Sequence, residues 1–104
     1  MDQRRIRSIK PFLEKVKRKY SPQEIILFGS RAKGTHHKDS DYDLLIIAES
    51  FRKIDFYDRC VLMYKLKRGL KVSMDNVCLT PEEFEHRRKL LGIIQEAVRE
   101  GVVI

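Results

Sequence analysis

The sequence predicts an α+β fold in which a small mixed β-sheet of three or more strands is flanked by helices. Three short apolar runs have strand character: Glu24–Phe28, Asp41–Ala48 and Lys71–Leu79. They alternate with segments of helical spacing in the order helix, strand, short turn, strand, helix, strand, helix. At 104 residues, the chain is long enough for one core, and we expect a single domain over residues 1–104.

The first helix is predicted over residues 4–20, where Pro11 either begins the main helix or kinks it. Its apolar residues recur at helical spacing: Ile6, Ile9, Phe12, Leu13 and Val16. Residues 1–20 hold eight basic and two acidic side chains, so this segment carries +6 of the net charge of +7. Such a face either attracts phosphates, nucleic acid or an acidic protein, or is simply solvated.

A turn after the first strand has the composition of a phosphate-binding loop. Glu24–Phe28 is predicted to be a buried strand that stops at Gly29, and Ser30 to Gly34 fits one helical turn. Backbone N–H groups at a helix start point towards an anion, and glycine lets a phosphate approach closely. Arg31 and Lys33 add positive charge, although an ordinary turn has a similar pattern.

Two acidic residues begin the second predicted strand. Alternate side chains of a strand share a face, so Asp41 and Asp43 point the same way as Leu45 and Ile47. Tyr42 points to the opposite face and is predicted to pack in the core. Two carboxylates that are partly desolvated repel each other, and a divalent cation such as Mg²⁺ removes that penalty.

Asp75 repeats the pattern in the third strand, in line with Val77 and Leu79. If the second and third strands are neighbours, three carboxylates converge. That arrangement supports two-metal chemistry, in which the ions activate an attacking oxygen and neutralise a leaving pyrophosphate. The alternative is that these aspartates are ordinary strand-end or turn residues.

The second half of the chain predicts two helices around the third strand. One is expected from Phe51 to Arg68, closed by Gly69. The other is expected to run from Thr80-Pro81 to about Glu100, with a capping box at its start. The apolar tail at residues 102–104 either folds back on the core or docks against another chain.

Composition indicates a cytoplasmic protein without a membrane segment. Cys60 and Cys78 lie in apolar runs and are expected to be buried free thiols. No apolar stretch approaches the ~18 residues needed to span a bilayer. The charged N-terminus lacks an apolar signal core, so we expect neither export nor membrane insertion.

The spacing of these motifs resembles a known family. Gly29-Ser30, ten intervening residues and then Asp41-Tyr42-Asp43 resemble the signature of the polymerase β-like nucleotidyltransferase superfamily. The string GSRAKG…SDYDLLI is similar to the minimal nucleotidyltransferases, many of which resemble antitoxins encoded beside a helical ribonuclease toxin of the HEPN type. Residues 74–84 (MDNVCLTPEEF) resemble the third strand and the following helix of that family.

The resemblance implies a role for each matched residue. Asp41, Asp43 and Asp75 would be the metal-binding and catalytic residues, with Asp75 orienting or deprotonating the attacking hydroxyl. Three residues would bind the nucleotide phosphates: Gly29, Ser30 and Arg31. The implied metal is Mg²⁺, at a two-metal site, and the implied substrate is a nucleoside triphosphate such as ATP. Asn76 departs from the family, in which an apolar residue is more usual, and we expect this to affect strand packing more than catalysis.

We therefore expect an enzyme that transfers AMP from ATP to a hydroxyl, with a tyrosine on a HEPN-type partner toxin as the implied acceptor. Two alternatives stay open. The chain could be a catalytically silent antitoxin that neutralises its partner by complex formation, or a basic nucleic-acid-binding module. The sequence names neither the base nor the acceptor, and it is compatible with a homodimer and with a hetero-oligomer.

Overall fold

A computed structural model of the chain describes residues 3–90 and 92–104. Within these residues there are four strands: β1 (Glu24–Phe28), β2 (Tyr42–Ile47), β3 (Met74–Leu79) and β4 (Val102–Val103). The same residues form five α-helices: α1 (Lys10–Tyr20), α2 (Ser30–Lys33), α3 (Phe56–Lys67), α4 (Pro81–Arg87) and α5 (Ile93–Glu100). Two 3₁₀-helices complete the fold: Gln3–Ile9 and Glu49–Phe51.

The strands form one mixed sheet, which confirms the predicted α+β class. Its order is β3-β2-β1-β4, with β2 and β3 parallel and the other two pairs antiparallel. The second and third strands of the chain are therefore direct neighbours. Both begin slightly later than predicted, β2 at Tyr42 rather than Asp41 and β3 at Met74 rather than Lys71.

Each face of the sheet has its own hydrophobic core. Leu44 and Ile46 of β2 face a cluster that includes Phe12 and Val16 of α1 and Met63 of α3. The alternate residues of β2 face a second cluster with these members: Ile26, Phe28, Leu45, Ile47, Leu79, Ile94 and Ala97. The period of two along β2 thus divides its side chains between helices α1 and α3 on one face and α5 on the other.

The first helical segment has two parts that meet at Pro11. A 3₁₀-helix ends at Ile9, and α1 begins at Lys10 with Pro11 in its first turn, so proline starts the main helix. The predicted apolar residues are buried, and the basic residues 4, 5, 7, 10, 15 and 17–19 are exposed.

Helix α3 begins at Phe56, and the predicted start at Phe51 was wrong. The side chain of Asp55 accepts a hydrogen bond from the backbone N–H of Tyr57, which caps the helix there. Phe51 lies instead in the preceding 3₁₀-helix and is fully buried. The apolar character of Phe51 reflects its burial, whereas the cap at Asp55 determines where α3 begins.

The predicted last helix is two helices, so the continuous helix from Thr80 to Glu100 was wrong. The capping box between Thr80 and Glu83 is confirmed at the start of α4. That helix ends at Arg87, and α5 begins after Gly92, whose φ of +129° is outside the helical region. The break lets α5 turn its apolar residues onto the sheet.

The tail at residues 102–104 folds back on the core, one of its two predicted placements. Val102–Val103 pair antiparallel with β1, and the N–H of Ile104 donates to the carbonyl of Ile25 at 2.8 Å. The ammonium of Lys17 on α1 donates to the carbonyl of Ile104 at 3.3 Å. These contacts place the end of α5 beside β1.

Both cysteines are free thiols, as predicted, but their burial differs. Cys78 is buried in the sheet, whereas Cys60 is exposed on α3, so the expectation that both are buried was wrong for Cys60. Among the helices that the structure describes, none has the length and apolar character needed to cross a membrane.

Candidate active site

The pairing of β2 with β3 brings the predicted acidic residues to one end of the sheet. Asp43 and Asp75 are directly opposite each other in the parallel register. Asp41 lies immediately before β2, because that strand begins at Tyr42. Asp43 is half-buried, while Asp41 and Asp75 are exposed. The expected convergence of carboxylates is therefore present for Asp43 and Asp75. The negative charge of Asp41 also contributes to the raised pKa of Asp43.

Like charges make this end of the sheet unfavourable for an ionised Asp43. Burial raises the pKa of Asp43, and the negative charges of Asp75, Asp41 and Glu96 raise it further. The carboxylate thus pays a desolvation penalty without a cationic partner among these contributors. A bound cation would reverse the sign of the local potential and favour the ionised form.

Gly29 lies against the same carboxylate. It follows Phe28, the register partner of Asp43, and its φ of 71° and ψ of −158° belong to a region that only glycine occupies readily. A Cβ atom at this position would lie 2.2 Å from Oδ2 of Asp43. The close approach requires a residue without a side chain, so the predicted phosphate turn and the acidic pair form one site.

The turn after Gly29 has the predicted helical form. The N–H groups of Ala32 and Lys33 donate to the carbonyl of Gly29, at 3.1 and 3.2 Å. Gly34 ends the turn with φ of +78°, as expected for a closing glycine. Ser30 begins the turn and is half-buried. It follows Gly29, which lies against the Asp43 carboxylate. The geometry leaves this corner narrow and rich in backbone polar groups.

The Arg31 guanidinium makes several contacts within the protein, and its predicted role in phosphate binding stays a prediction. Its Nε and Nη2 donate to the carbonyl of Ser40 at 3.2 and 2.9 Å, and Nη2 also donates to the carbonyl of Lys38 at 3.1 Å. The guanidinium carbon lies 4.2 Å from the centre of the Tyr42 ring. Tyr42 is buried on the opposite face from the acids, as predicted. Arg31 therefore holds the loop that leads into Asp41.

The site also contains a residue that sequence reasoning missed. Glu96 of α5 contributes to the raised pKa of Asp43, so it faces the acidic end of the sheet. Its Oε1 lies 3.8 Å from Nζ of Lys33, which also pairs with Glu100 at 2.9 Å. The placement of Glu96 depends on the break between α4 and α5. Gly92 was the available signal, because glycine interrupts helices.

The donor chemistry fits a hard divalent cation. No group of three or more His, Cys, Asp or Glu side chains within residues 3–90 and 92–104 is already arranged as a metal site. Asp43 and Asp75 are nevertheless opposite each other in the strand register, and after burial the negative charge of Asp75 is the next cause of the raised pKa of Asp43. Carboxylate pairs completed by phosphate oxygens and water are the usual surroundings of Mg²⁺. Asp41, Asp43 and Asp75 stay the predicted ligands of such an ion.

Comparisons with known proteins agree with this geometry. The sequence pattern of the nucleotidyltransferase domain matches residues 9–104. A protein of Methanocaldococcus jannaschii that is provisionally named a protein adenylyltransferase is 31% identical over 103 residues, covering 94% of this chain and 95% of its own. Both matches span the acidic residues and the turn at Gly29.

Two solved structures are similar in fold. A crystal structure from Sulfolobus solfataricus, provisionally described as a nucleotidyltransferase, has a TM-score of 0.67 at 24% identity, covering 97% of this chain and 79% of its own. A structure described as a toxin-antitoxin with AMP-PNP has a TM-score of 0.61 at 27% identity, covering 88% of this chain and 68% of its own. The sheet and its flanking helices are thus similar in fold to both structures.

Proposed function

The chain belongs to the nucleotidyltransferase domain family, which confirms the resemblance to minimal nucleotidyltransferases, and from that premise we propose that it transfers AMP from ATP to a hydroxyl of a partner protein. The observation that carries the proposal is the position of the Asp43 carboxylate. It lies against Gly29 on one side and opposite Asp75 on the other. A phosphate held at the turn would therefore be next to the acidic pair.

The reaction is a displacement at the α-phosphorus of ATP. A bond forms between the acceptor oxygen and the α-phosphorus, and the bond to the bridging oxygen of the β-phosphate breaks. Pyrophosphate leaves with the electron pair of that bond. Asp75, which is exposed, accepts the proton of the acceptor hydroxyl and orients it for attack.

Asp41, Asp43 and Asp75 would hold Mg²⁺, which when bound neutralises charge on the phosphates and makes the attacking oxygen more nucleophilic. Gly29 supplies a backbone surface that a phosphate can approach closely, and Ser30 supplies a hydroxyl and an N–H group beside it. The Asp43 carboxylate occupies the space beside Gly29, so a side chain at position 29 would displace it.

We assign Arg31 a positioning role, which refines the phosphate-binding role implied by the family resemblance. Its hydrogen bonds to the carbonyls of Lys38 and Ser40 fix the loop immediately before Asp41. Loss of these bonds would release Asp41 without changing the charge of the acidic residues. The expected kinetic signature is a lower rate of transfer with little change in the affinity for the triphosphate.

The choice of AMP, of a protein acceptor and of an antitoxin role rests on the relatives. One relative carries the provisional name of a protein adenylyltransferase, and one similar structure is described as a toxin-antitoxin with AMP-PNP. We propose by analogy that the acceptor is a hydroxyl, such as that of tyrosine, on a HEPN-type partner toxin. The catalytically silent antitoxin is the competing proposal, because a partner can also be neutralised by binding alone.

The test is transfer of label from ATP to protein. The chain is mixed with Mg²⁺ and the protein encoded by the adjacent gene, once with ATP labelled at the α-phosphate and once with ATP labelled at the γ-phosphate. We expect the α label on the partner and none of the γ label. If a folded sample with Mg²⁺ leaves the partner unlabelled, AMP transfer to that partner is refuted.

Matched variants separate catalysis from binding. Asp41→Asn with Asp43→Asn removes two carboxylates and should abolish labelling, whereas Asp58→Asn on the exposed surface of α3 should not. Neutralisation of the partner should be lost with the labelling. If the double variant still neutralises the partner, the silent binding role is the correct one.

A further inference from the structure

A polar hollow lies where the chain enters β2 and β3, and its two lysines have no role in the reaction described above. Its volume is about 280 Å³, and its walls are the Arg31 side chain and two short segments, residues 38–40 and 71–73. Both segments lead directly into site residues, because Ser40 precedes Asp41 and Ser73 is two residues before Asp75. The two segments are joined by a hydrogen bond from the N–H of Tyr42 to the carbonyl of Ser73, at 2.9 Å.

The hollow is lined with more cations than anions. Among the described residues that line it, Arg31, Lys38 and Lys71 are cationic and only Asp39 is acidic. Within the described part of the chain, the ammonium groups of Lys38 and Lys71 have no hydrogen-bond or ion-pair partner. Two unpaired cations at a concave polar surface attract an anion, and the walls limit it to a small group.

Arg31 gives the hollow a fixed wall. Its hydrogen bonds to the carbonyls of Lys38 and Ser40 hold segment 38–40 against α2. The contact of the guanidinium with the buried Tyr42 ring fixes the side chain further. The positions of Ser40 and of the Lys38 backbone are thus set before any ligand arrives, which lowers the entropic cost of binding.

We propose that this hollow binds a carboxylate side chain of the acceptor protein, close in sequence or space to the hydroxyl that is modified. The inference rests on the proposed function, because it concerns the acceptor of the same site. A carboxylate between Lys38 and Lys71 would place its neighbours at the starts of β2 and β3, where Asp41 and Asp75 lie. Acceptors with Asp or Glu beside the hydroxyl are therefore preferred.

A nucleic acid is less well matched to this surface than an acidic protein. Single-stranded nucleic acids bind by stacking bases on exposed aromatic side chains as well as by phosphate contacts. The aromatic residues of the basic N-terminal segment, Phe12 and Tyr20, are 0% and 6% exposed, so they cannot stack on a base. None of the described residues that line the hollow is aromatic, so the hollow offers no surface on which a base could stack.

The experiment measures peptide binding without ATP. The probe is a fluorescein-labelled peptide with one tyrosine flanked by glutamates, followed by fluorescence anisotropy, and the comparison is the same peptide with glutamines. We expect the glutamate peptide to bind more tightly, with affinity that falls as salt is added. Lys38→Glu with Lys71→Glu should weaken its binding by about tenfold, because two exposed attractive contacts become repulsive.

The control makes the same change of charge elsewhere. Lys53→Glu with Lys65→Glu alters two exposed lysines that line a different hollow beside α3, and it should change the affinity by less than about twofold. Lys38→Gln with Lys71→Gln should give an intermediate loss, and circular dichroism checks that all variants are folded. Equal losses in both glutamate variants, or equal affinity for the glutamine peptide, would overturn the proposal. So would an oligonucleotide that competes through Lys38 and Lys71 and binds more tightly than the acidic peptide.

Failure of the proposed function gives a different pattern. Binding of the peptide through Lys38 and Lys71 without transfer of AMP to any protein would leave the hollow as a carboxylate site and refute the chemistry. Transfer of AMP at the same rate in the Lys38→Glu and Lys71→Glu double variant would support the chemistry and refute the hollow. The two readouts are therefore independent.

Discussion

Replacement of Gly29 by alanine tests the contact between the turn and the acidic pair. The added Cβ would lie 2.2 Å from Oδ2 of Asp43, while ordinary contacts of a Cβ begin at 3.4 Å. The carboxylate must therefore move by more than about 1 Å, and misplacement on this scale lowers a catalytic rate by about 100-fold. The backbone conformation of Gly29 adds a loss of about 1–3 kcal/mol in the free energy of unfolding, because alanine is strained there.

Gly69→Ala provides the matched control. Gly69 also has a positive φ, +94°, but an added Cβ would have no atom of residues 3–90 or 92–104 within 4 Å. The control should lose stability through backbone strain and keep its transfer activity. The assays are urea unfolding, for the free energy, and transfer from α-labelled ATP, for the rate. If Gly29→Ala keeps more than half of the wild-type rate, or if Gly69→Ala loses as much activity, the reasoning about this contact is wrong.

Three further predictions follow from burial and charge. Asp43→Asn should raise the free energy of unfolding without metal by about 1 kcal/mol, because a half-buried charge and its like-charged neighbours no longer oppose folding. The gain should shrink as the pH falls, since the raised pKa of Asp43 in the folded state means that protonation of the wild-type carboxyl favours folding. Burial raises the pKa of Glu83, but the hydrogen bonds from the buried Arg59 and from Thr80 outweigh burial and lower it. The contribution of Glu83 to stability is therefore present above the ordinary pKa of 4.5 and is lost as the pH falls further. Glu83→Gln should lower the free energy of unfolding at pH 7 by about 1–3 kcal/mol and make its loss in acid shallower. A thiol reagent should modify the exposed Cys60 rapidly in the native protein but modify Cys78 only on unfolding, because burial raises the pKa of Cys78 to about 12; equal rates at both thiols would contradict the described burial.

The parts of the fold that the sequence predicted are those determined by local patterns. The strand at Glu24–Phe28, the turn at Ser30 to Gly34 and the capping box at Thr80 each depend on residues that are adjacent in sequence. The strand parity of Asp43 and Asp75 was also local, and the pairing of β2 with β3 then brought them together. The alternation of side chains along the strands and the residue types of the turns and caps were sufficient to predict these elements.

The errors arose where a nonlocal or competing signal decided the structure. Phe51 fitted the helical period of α3, but its burial comes from the sheet and α1, and the cap at Asp55 begins the helix later. The periodic pattern from Thr80 to Glu100 did not reveal the break at Gly92, and the role of Glu96 beside Asp43 was missed with it. The phosphate-binding role of Arg31 stays a prediction, while its hydrogen bonds to the loop at residues 38–40 depend on a loop path that the motif does not specify.

The aspartates at the start of β2 and β3 are proposed to bind a metal ion and a triphosphate together. Isothermal titration calorimetry with a non-hydrolysable ATP analogue tests it directly, with and without Mg²⁺, on the wild type and on variants. We predict Mg²⁺-dependent binding to the wild type and to Asp58→Asn, and an affinity lower by at least about 100-fold for the double variant Asp41→Asn with Asp43→Asn. Binding of equal affinity to that double variant, or binding that does not depend on a divalent cation, would contradict the account.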